Sequence, residues 1–302
     1  MNVQLAHKLS TAARFLGLAQ ARCFHCLRPF SPDAEIFSAS TAWPPAGFFD
    51  PDASLCPSCR DLLVPYRGPR CPLCGLPAPM PSALPAPGPV GGYGTSQEAY
   101  QGSLCGRCLA DPPPWPRAAF YGLYRQSLRH ALLRLKFDGH LYLAPLLGAF
   151  LLEAAHCLPG PDALLAVPQY PDHLRHRGYN QAHALAKALH AQTGLALVPG
   201  LLSRTRPGPA QIGLNARSRP ENVRHSFAAS PEAKGLRLWL VDDVMTTGST
   251  LRAAGLALLK AGASRVDVLV VARTPKEDMD STDDSPPSRG AESAGNHMFR
   301  LS

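Results

Sequence analysis

Nowhere in the 302 residues does an unbroken apolar stretch approach the ~18–20 that a bilayer-crossing helix needs. No secretory leader stands out either. Residues 1–20 place Leu5, Leu9, Ala12, Ala13, Phe15, Leu16 and Leu18 at roughly helical spacing, but Lys8, Ser10, Thr11 and Arg14 interrupt any apolar stretch of signal-peptide length. The expectation is a cytoplasmic protein without a transmembrane segment, its first residues forming a short amphipathic helix packed on the domain that follows. Peripheral attachment at the inner face of the membrane is the second reading of that helix. Acidic residues are in the minority. The net charge is +8, and the segment 275–302 by itself carries −3, so the remainder carries +11. A basic body suits polyphosphate ligands or nucleic acid, although Arg-rich proteins are often merely basic. That last segment is polar and is expected to be disordered.

Cysteine is sparse except in one region, where it is patterned. Eight of the nine cysteines form C-x-x-C pairs: Cys23/Cys26, Cys56/Cys59, Cys71/Cys74 and Cys105/Cys108. Each pair can present two thiolates to one ion on a tight turn, and two such turns complete a tetrahedral site of four cysteines. Disulfides are disfavoured by the missing leader and by the adjacency of the pairs. A redox pair of the thioredoxin type requires a βαβ context, and these pairs sit among prolines. Two structural Zn2+ ions are therefore expected, with closed shells and no catalytic role. Sequential pairing is the simplest arrangement, and an interleaved one satisfies the same chemistry. The segments 31–54 and 77–103 are rich in Pro, Gly, Ala and Ser and read as expanded loops. Cys157 stands apart as a buried structural thiol.

After Cys108 the run Asp111-Pro112-Pro113-Pro114-Trp115-Pro116 reads as a stiff connector. It divides a region 1–112 (helix and double ribbon) from 113–274. Beyond it, Ala118–Tyr124, Asp162–Val167, Leu195–Leu202, Leu236–Val241 and Val266–Ala272 read as strands. Ser127–Phe137, Pro145–His156, Asn180–Gln192 and Thr250–Ala261 read as helices, and Gln169–Tyr179 as a basic loop. Alternating strands and helices imply an α/β fold with a mainly parallel sheet and helices on both faces. Ligands in such sheets sit at the carboxyl ends of strands, where the loop after Val167 and the pair Asp242/Asp243 both fall.

The stretch Leu236–Thr250, LRLWLVDDVMTTGST, organises this half. A buried strand leads into two carboxylates, then a hydroxyl-and-glycine turn, then a helix start. Helix N-termini bind phosphate through unpaired N–H groups and the dipole. Gly248 admits close backbone approach, and Thr246, Thr247, Ser249 and Thr250 add hydroxyls. Asp242 and Asp243 are acceptors suited to a ribose diol. A plain helix cap explains the Thr, Gly and Ser residues but not the acidic pair before them. The stretch resembles the phosphoribosyl pyrophosphate (PRPP) motif of type I phosphoribosyltransferases.

The resemblance widens along the chain. The four C-x-x-C pairs, PPPW, LRLKF, VPQYPDHLRHRGYNQ, the Arg219–Phe227 stretch and LVDDVMTTGST, in this order, resemble the ComF family, the group that includes proteins called GntX. The match runs from about Cys23 to Thr274. It implies a double zinc ribbon followed by a type I phosphoribosyltransferase-like domain, and a link to natural competence, DNA uptake, incoming single-stranded DNA and competence or DNA-transport proteins. It also implies a mobile loop over the substrate in the region of Arg204 and Gln211, where Gly208-Pro209-Ala210 departs from the family pattern.

The chemistry such a site would perform is pentosyl transfer, a glycosyltransferase reaction. PRPP would bind with Mg2+. His173, Arg175, Arg177 and Lys136 would face the pyrophosphate, Thr246–Thr250 would anchor the 5′-phosphate, and Asp242 and Asp243 would hold the ribose and stabilise oxocarbenium-like charge. The acceptor nucleophile has no recognisable signature, and neither a base-recognition strand nor a glutaminase domain is apparent. A competing reading keeps the pocket as a PRPP or nucleotide sensor and gives single-stranded DNA to the ribbons and the basic surface.

Overall fold

The computed structural model describes residues 21–31, 49–78, 103–206 and 226–275. The expected N-terminal helix, the acidic terminal segment, Gln211 and most of the Arg219–Phe227 stretch lie outside these residues. In chain order the elements are β1 (Ala21–Arg22), β2 (Pro29–Phe30), α1 (Pro51–Ser54), α2 (Pro57–Leu62), α3 (Gly106–Ala110), β3 (Ala118–Leu123), α4 (Gln126–Phe137), α5 (Ala144–Ala155), β4 (Ala163–Ala166), α6 (Pro171–Arg177), α7 (Gln181–Thr193), β5 (Leu202–Arg204), β6 (Phe227–Ala229), β7 (Arg237–Met245), α8 (Ser249–Lys260) and β8 (Arg265–Arg273).

Four strands form a parallel sheet in the order β3-β8-β7-β4. Its central strands are continuous apolar runs, as strands covered on both faces must be. Period-two alternation sends Ala119, Tyr121, Trp239, Val241, Leu269 and Val271 to one face and Phe120, Leu238, Leu240, Val266, Val268 and Val270 to the other. Helices α4, α5 and α7 cover the first face and α8 covers the second. This is the expected α/β architecture.

Several elements differ from the sequence expectation. The segment read as a loop, Gln169–Tyr179, contains the helix α6. Pro171 fits its first turn, and Gly178 ends it in the left-handed conformation at φ 78°. Leu195–Leu202 is not a strand: Leu197 makes one bridge to Leu164, and Gly200 at φ 91° turns the chain into β5, which pairs with β6 in a separate antiparallel ribbon. Strand β7 extends past Val241 to Met245, because β8 continues beside it and pairs Val270 with Asp242 and Arg273 with Met245. Both acidic residues are therefore held on a strand rather than in a turn.

The cysteine-rich segments consist of two similar halves. In each, a knuckle closes on itself: Leu27 N–H donates to Cys23 O (2.9 Å) and Gly75 N–H to Cys71 O (2.8 Å). Leu27 (φ 63°) and Gly75 (φ 66°) hold the same left-handed position. The second pair in each half begins a short helix, with Cys56 and Cys105 as N-caps. The halves are not separate from the sheet. Cys23, Leu55, Cys59 and Leu63 share the apolar cluster of the first sheet face, and Tyr121 donates its hydroxyl to Leu63 O (2.5 Å). Trp115, in the three-proline connector, is buried in the cluster of the other face.

Candidate active site and metal centres

The carboxyl ends of β3, β4 and β7 open onto one cavity of about 250 Å³. Lys136, His173, Arg177, Arg204, Asp242, Asp243, Thr246 and Thr250 all line it. Asp242 and Asp243 lie on β7, Thr246 directly follows it, Thr250 stands in the first turn of α8, and the cations come from α4, α6 and β5.

Asp242 and Asp243 are fixed locally. The Asp243 N–H donates to Asp242 Oδ1 and the Val244 N–H to Asp243 Oδ1, both at 2.9 Å. Burial, and next the Asp243 charge, raise the Asp242 carboxyl well above the ordinary carboxylate value, while Lys136 pulls it the other way. Asp243 is held from across the cavity by Gln181, whose Nε2 lies 3.4 Å from Asp243 Oδ2. Gln181 Oε1 accepts from Arg177 Nη1 (2.9 Å) and from Gln169 Nε2. A buried glutamine thus connects the basic helix to the acidic strand. The side chain of Asn180 positions it: Oδ1 caps α7 by accepting from Ala182 N–H (2.9 Å) and His183 N–H (3.3 Å), and Nδ2 donates to Val167 O (3.0 Å).

The cationic wall has an aromatic brace. Lys136 Nζ and the Arg177 guanidinium each lie 5.3 Å from the ring centre of Phe137, and the Arg204 guanidinium lies 5.4 Å from that of Phe227. Arg204 also senses Asp242: burial lowers its pKa, and the Asp242 charge acts in the opposite direction. Arg175 does not reach the cavity lining. It is exposed and pairs with Asp172 at 2.7 Å, one helical turn away.

The turn after β7 places Gly248 at the N-cap of α8 with φ 78°, a conformation that favours glycine, and it supplies no side-chain cap. Thr247 and Ser249 are exposed and bond to each other (3.1 Å), and Thr247 Oγ1 accepts the Ser249 N–H at 3.3 Å. Thr246 and Thr250 face the cavity. The cavity is lined by carboxylate acceptors, by cations and by threonines at a helix start, the groups that a phosphorylated, hydroxyl-bearing ligand can bond. The residues that sequence reasoning passed over are Gln169, Gln181, Tyr124 and Tyr170. Gln181 ends the RGYNQ segment, so its signal was present. Tyr124 merely follows a strand and carried none.

The eight paired cysteines gather in sequential order: Cys23, Cys26, Cys56 and Cys59 in one cluster, Cys71, Cys74, Cys105 and Cys108 in the other. Within each cluster the sulfurs lie within 4.8 Å of one another, and Cys26–Cys56 and Cys74–Cys105 are 3.8 and 3.6 Å apart. A tetrahedron of thiolates at ~2.3 Å from a zinc ion has edges of about 3.8 Å, so both clusters fit a metal such as zinc. All are free thiols. Backbone donors overcome burial and bring Cys23 and Cys71 down to about 7, whereas burial raises Cys59 and Cys108. Four neighbouring thiols ionise together only when a cation joins them.

Fold and cavity define a phosphoribosyltransferase-type protein, and the family model described as "Phosphoribosyl transferase domain" matches residues 177–288. The "DNA utilization protein YhgH" of Salmonella typhi is 34% identical over 68% of this chain and 84% of its own length. "Competence protein F" of Haemophilus influenzae is 31% identical over 61% and 85%, and "Competence protein ComFC" of Bacillus subtilis is 24% identical over 82% and 92%. The chain belongs to the ComF family.

Proposed function

We propose that the cavity binds PRPP with Mg2+ and that the protein is a phosphoribosyltransferase serving the handling of incoming single-stranded DNA. The observation that carries this reading is the convergence of Asp242, Asp243, Thr246 and Thr250 with Lys136, His173 and Arg177 on one cavity. In the proposed reaction the bond from the anomeric carbon to the pyrophosphate oxygen breaks and its electron pair leaves with the pyrophosphate, while the acceptor nucleophile bonds to the anomeric carbon and gives up its proton to solvent. Lys136, His173 and Arg177 receive that charge. Asp242 and Asp243 hold the ribose hydroxyls, and their negative charge favours the cationic ring of the transition state. The start of α8 with Thr246 and Thr250 fixes the 5′-phosphate, and this orients the ring. When bound, Mg2+ supplies Lewis-acid neutralisation of the pyrophosphate. Cys23, Cys26, Cys56 and Cys59 would hold one structural Zn2+ ion, and Cys71, Cys74, Cys105 and Cys108 a second.

The DNA assignment draws on the names of the relatives and on the basic body. It predicts that affinity for single-stranded oligonucleotides falls steeply with salt as counterions are released. The enzymatic reading is tested by incubating the zinc-loaded protein with PRPP and Mg2+ against a panel of bases and amines and following pyrophosphate. Release that depends on one acceptor is expected. PRPP binding without release in any mixture would leave a sensor.

A further inference from the structure

We propose that the second cysteine cluster sets the conformation of the phosphate-binding turn Met245–Thr250, acting through Arg273 and Trp115. The proposal rests on the phosphoribosyl reading of that turn, but the mechanical coupling can be tested without any ligand.

Arg273 ends β8 and is one of the most completely buried large side chains, with 2% exposure. Its Nε donates to Cys74 O at 3.0 Å, and Cys74 is a ligand position of the second cluster. Its Nη1 donates to Met245 O (2.9 Å), Thr246 O (2.5 Å) and Thr274 O (2.8 Å). One guanidinium therefore joins the metal-binding knuckle to the first residues of the phosphate turn. Trp115 makes the second connection. Its indole N–H donates to Leu73 O in the same knuckle (2.6 Å), and its ring lies beside Gly248, where a Cβ would meet Cη2 at 3.7 Å. Arg273 thus bonds one knuckle carbonyl to the start of the turn, and Trp115 bonds the adjacent carbonyl and packs beside Gly248 within the turn.

Electrostatics gives this arrangement a dependence on metal. A buried guanidinium is costly unless it is compensated. Four thiolates around a divalent ion carry a formal charge of about −2, so a filled cluster supplies Arg273 with more negative charge than four thiols that do not all ionise. Loss of the ion would also free the knuckle whose carbonyls Arg273 and Trp115 require. The first cluster has a different attachment: Arg134 Nη1 donates to His25 O (2.6 Å), tying that knuckle to α4. It serves as the internal control.

The test uses the full chain and reads amide hydrogen exchange in residues 245–250 alongside zinc content. Cys105→Ser removes a ligand other than the residue whose carbonyl Arg273 contacts, and Cys56→Ser removes the corresponding ligand of the first cluster. Cys105→Ser is expected to lower the zinc count by one and to speed exchange in the turn about tenfold, whereas Cys56→Ser lowers the count and leaves the turn within about twofold of wild type. Arg273→Lys keeps the charge but places one nitrogen where two are needed. It covers the case in which the cysteine variants do not fold, and it should speed both turn exchange and loss of one of the two zinc ions to a chromogenic chelator by about tenfold. Trp115→Phe keeps the ring, loses the N–H donor and should show a smaller change in the same direction. Unchanged exchange in Arg273→Lys, or in Cys105→Ser shown to have lost its zinc, overturns the coupling. Calorimetry with PRPP separates the two claims. No binding by wild type counts against the phosphoribosyl reading while exchange still decides the coupling, and equal binding by wild type and Arg273→Lys contradicts the coupling directly.

Discussion

Asp242 faces opposing demands. Its carboxyl is raised by burial and by the Asp243 charge, so in the folded protein it ionises at a higher pH than in the unfolded chain, where it ionises near pH 4. Between that value and the raised one the folded state binds more protons, and stability falls as pH rises. Asp242→Asn removes the cost and should raise the melting temperature of the unliganded protein at neutral pH by about 2–4 °C, the equivalent of ~1 kcal/mol, while flattening its pH dependence. The same change should lower turnover about 10²–10³-fold, because the lost charge acts on the cationic transition state. Thermal melts across pH, paired with pyrophosphate release, check both signs. Gly248→Ala probes the turn. A Cβ there meets Met245 and Trp115 only at ordinary contact distance, so the cost comes from the positive φ, about 1–2 kcal/mol, and denaturant melts should show it.

At the scale of elements, the site depends on how α7 begins. Asn180 caps the helix and grips Val167 O, and Gln181 follows with its link between Arg177 and Asp243. Asn180→Ala should cost about 1–2 kcal/mol in a denaturant melt and weaken ligand binding, since Gln181 loses its placement. Helix α7 was legible from its apolar periodicity, and β7 from Leu236–Val241. The continuation of β7 to Met245 was not, because carboxylates and threonines mimic a turn and only pairing with β8 keeps the strand extended. Helix α6 was hidden for a related reason. Seven residues rich in His and Arg show no apolar period, and its only signals were Pro171 and Gly178 at the ends. The cysteine pairs were legible because two-residue spacing is a local signal. The Arg273 contact to Cys74 was not, because 199 residues separate the partners and the arginine ends an apolar strand.

At the scale of the molecule, the cysteine clusters and the sheet share their cores. Leu55 and Leu63 belong with α4, α5 and the first sheet face, and Trp115 with the other face. A fragment beginning at residue 113 should therefore expose apolar surface and bind a hydrophobic dye more strongly than the full chain. The central claim is that Asp242–Thr250 holds PRPP, and the most direct measurement is calorimetry of PRPP with Mg2+ against the zinc-loaded full chain and its Asp242→Asn/Asp243→Asn double variant. Saturable 1:1 binding by wild type, tighter than that of ribose 5-phosphate and weakened in the double variant by about tenfold or more, is the predicted result. Absence of PRPP binding to a zinc-loaded, folded wild type, or equal binding by the double variant, would contradict it.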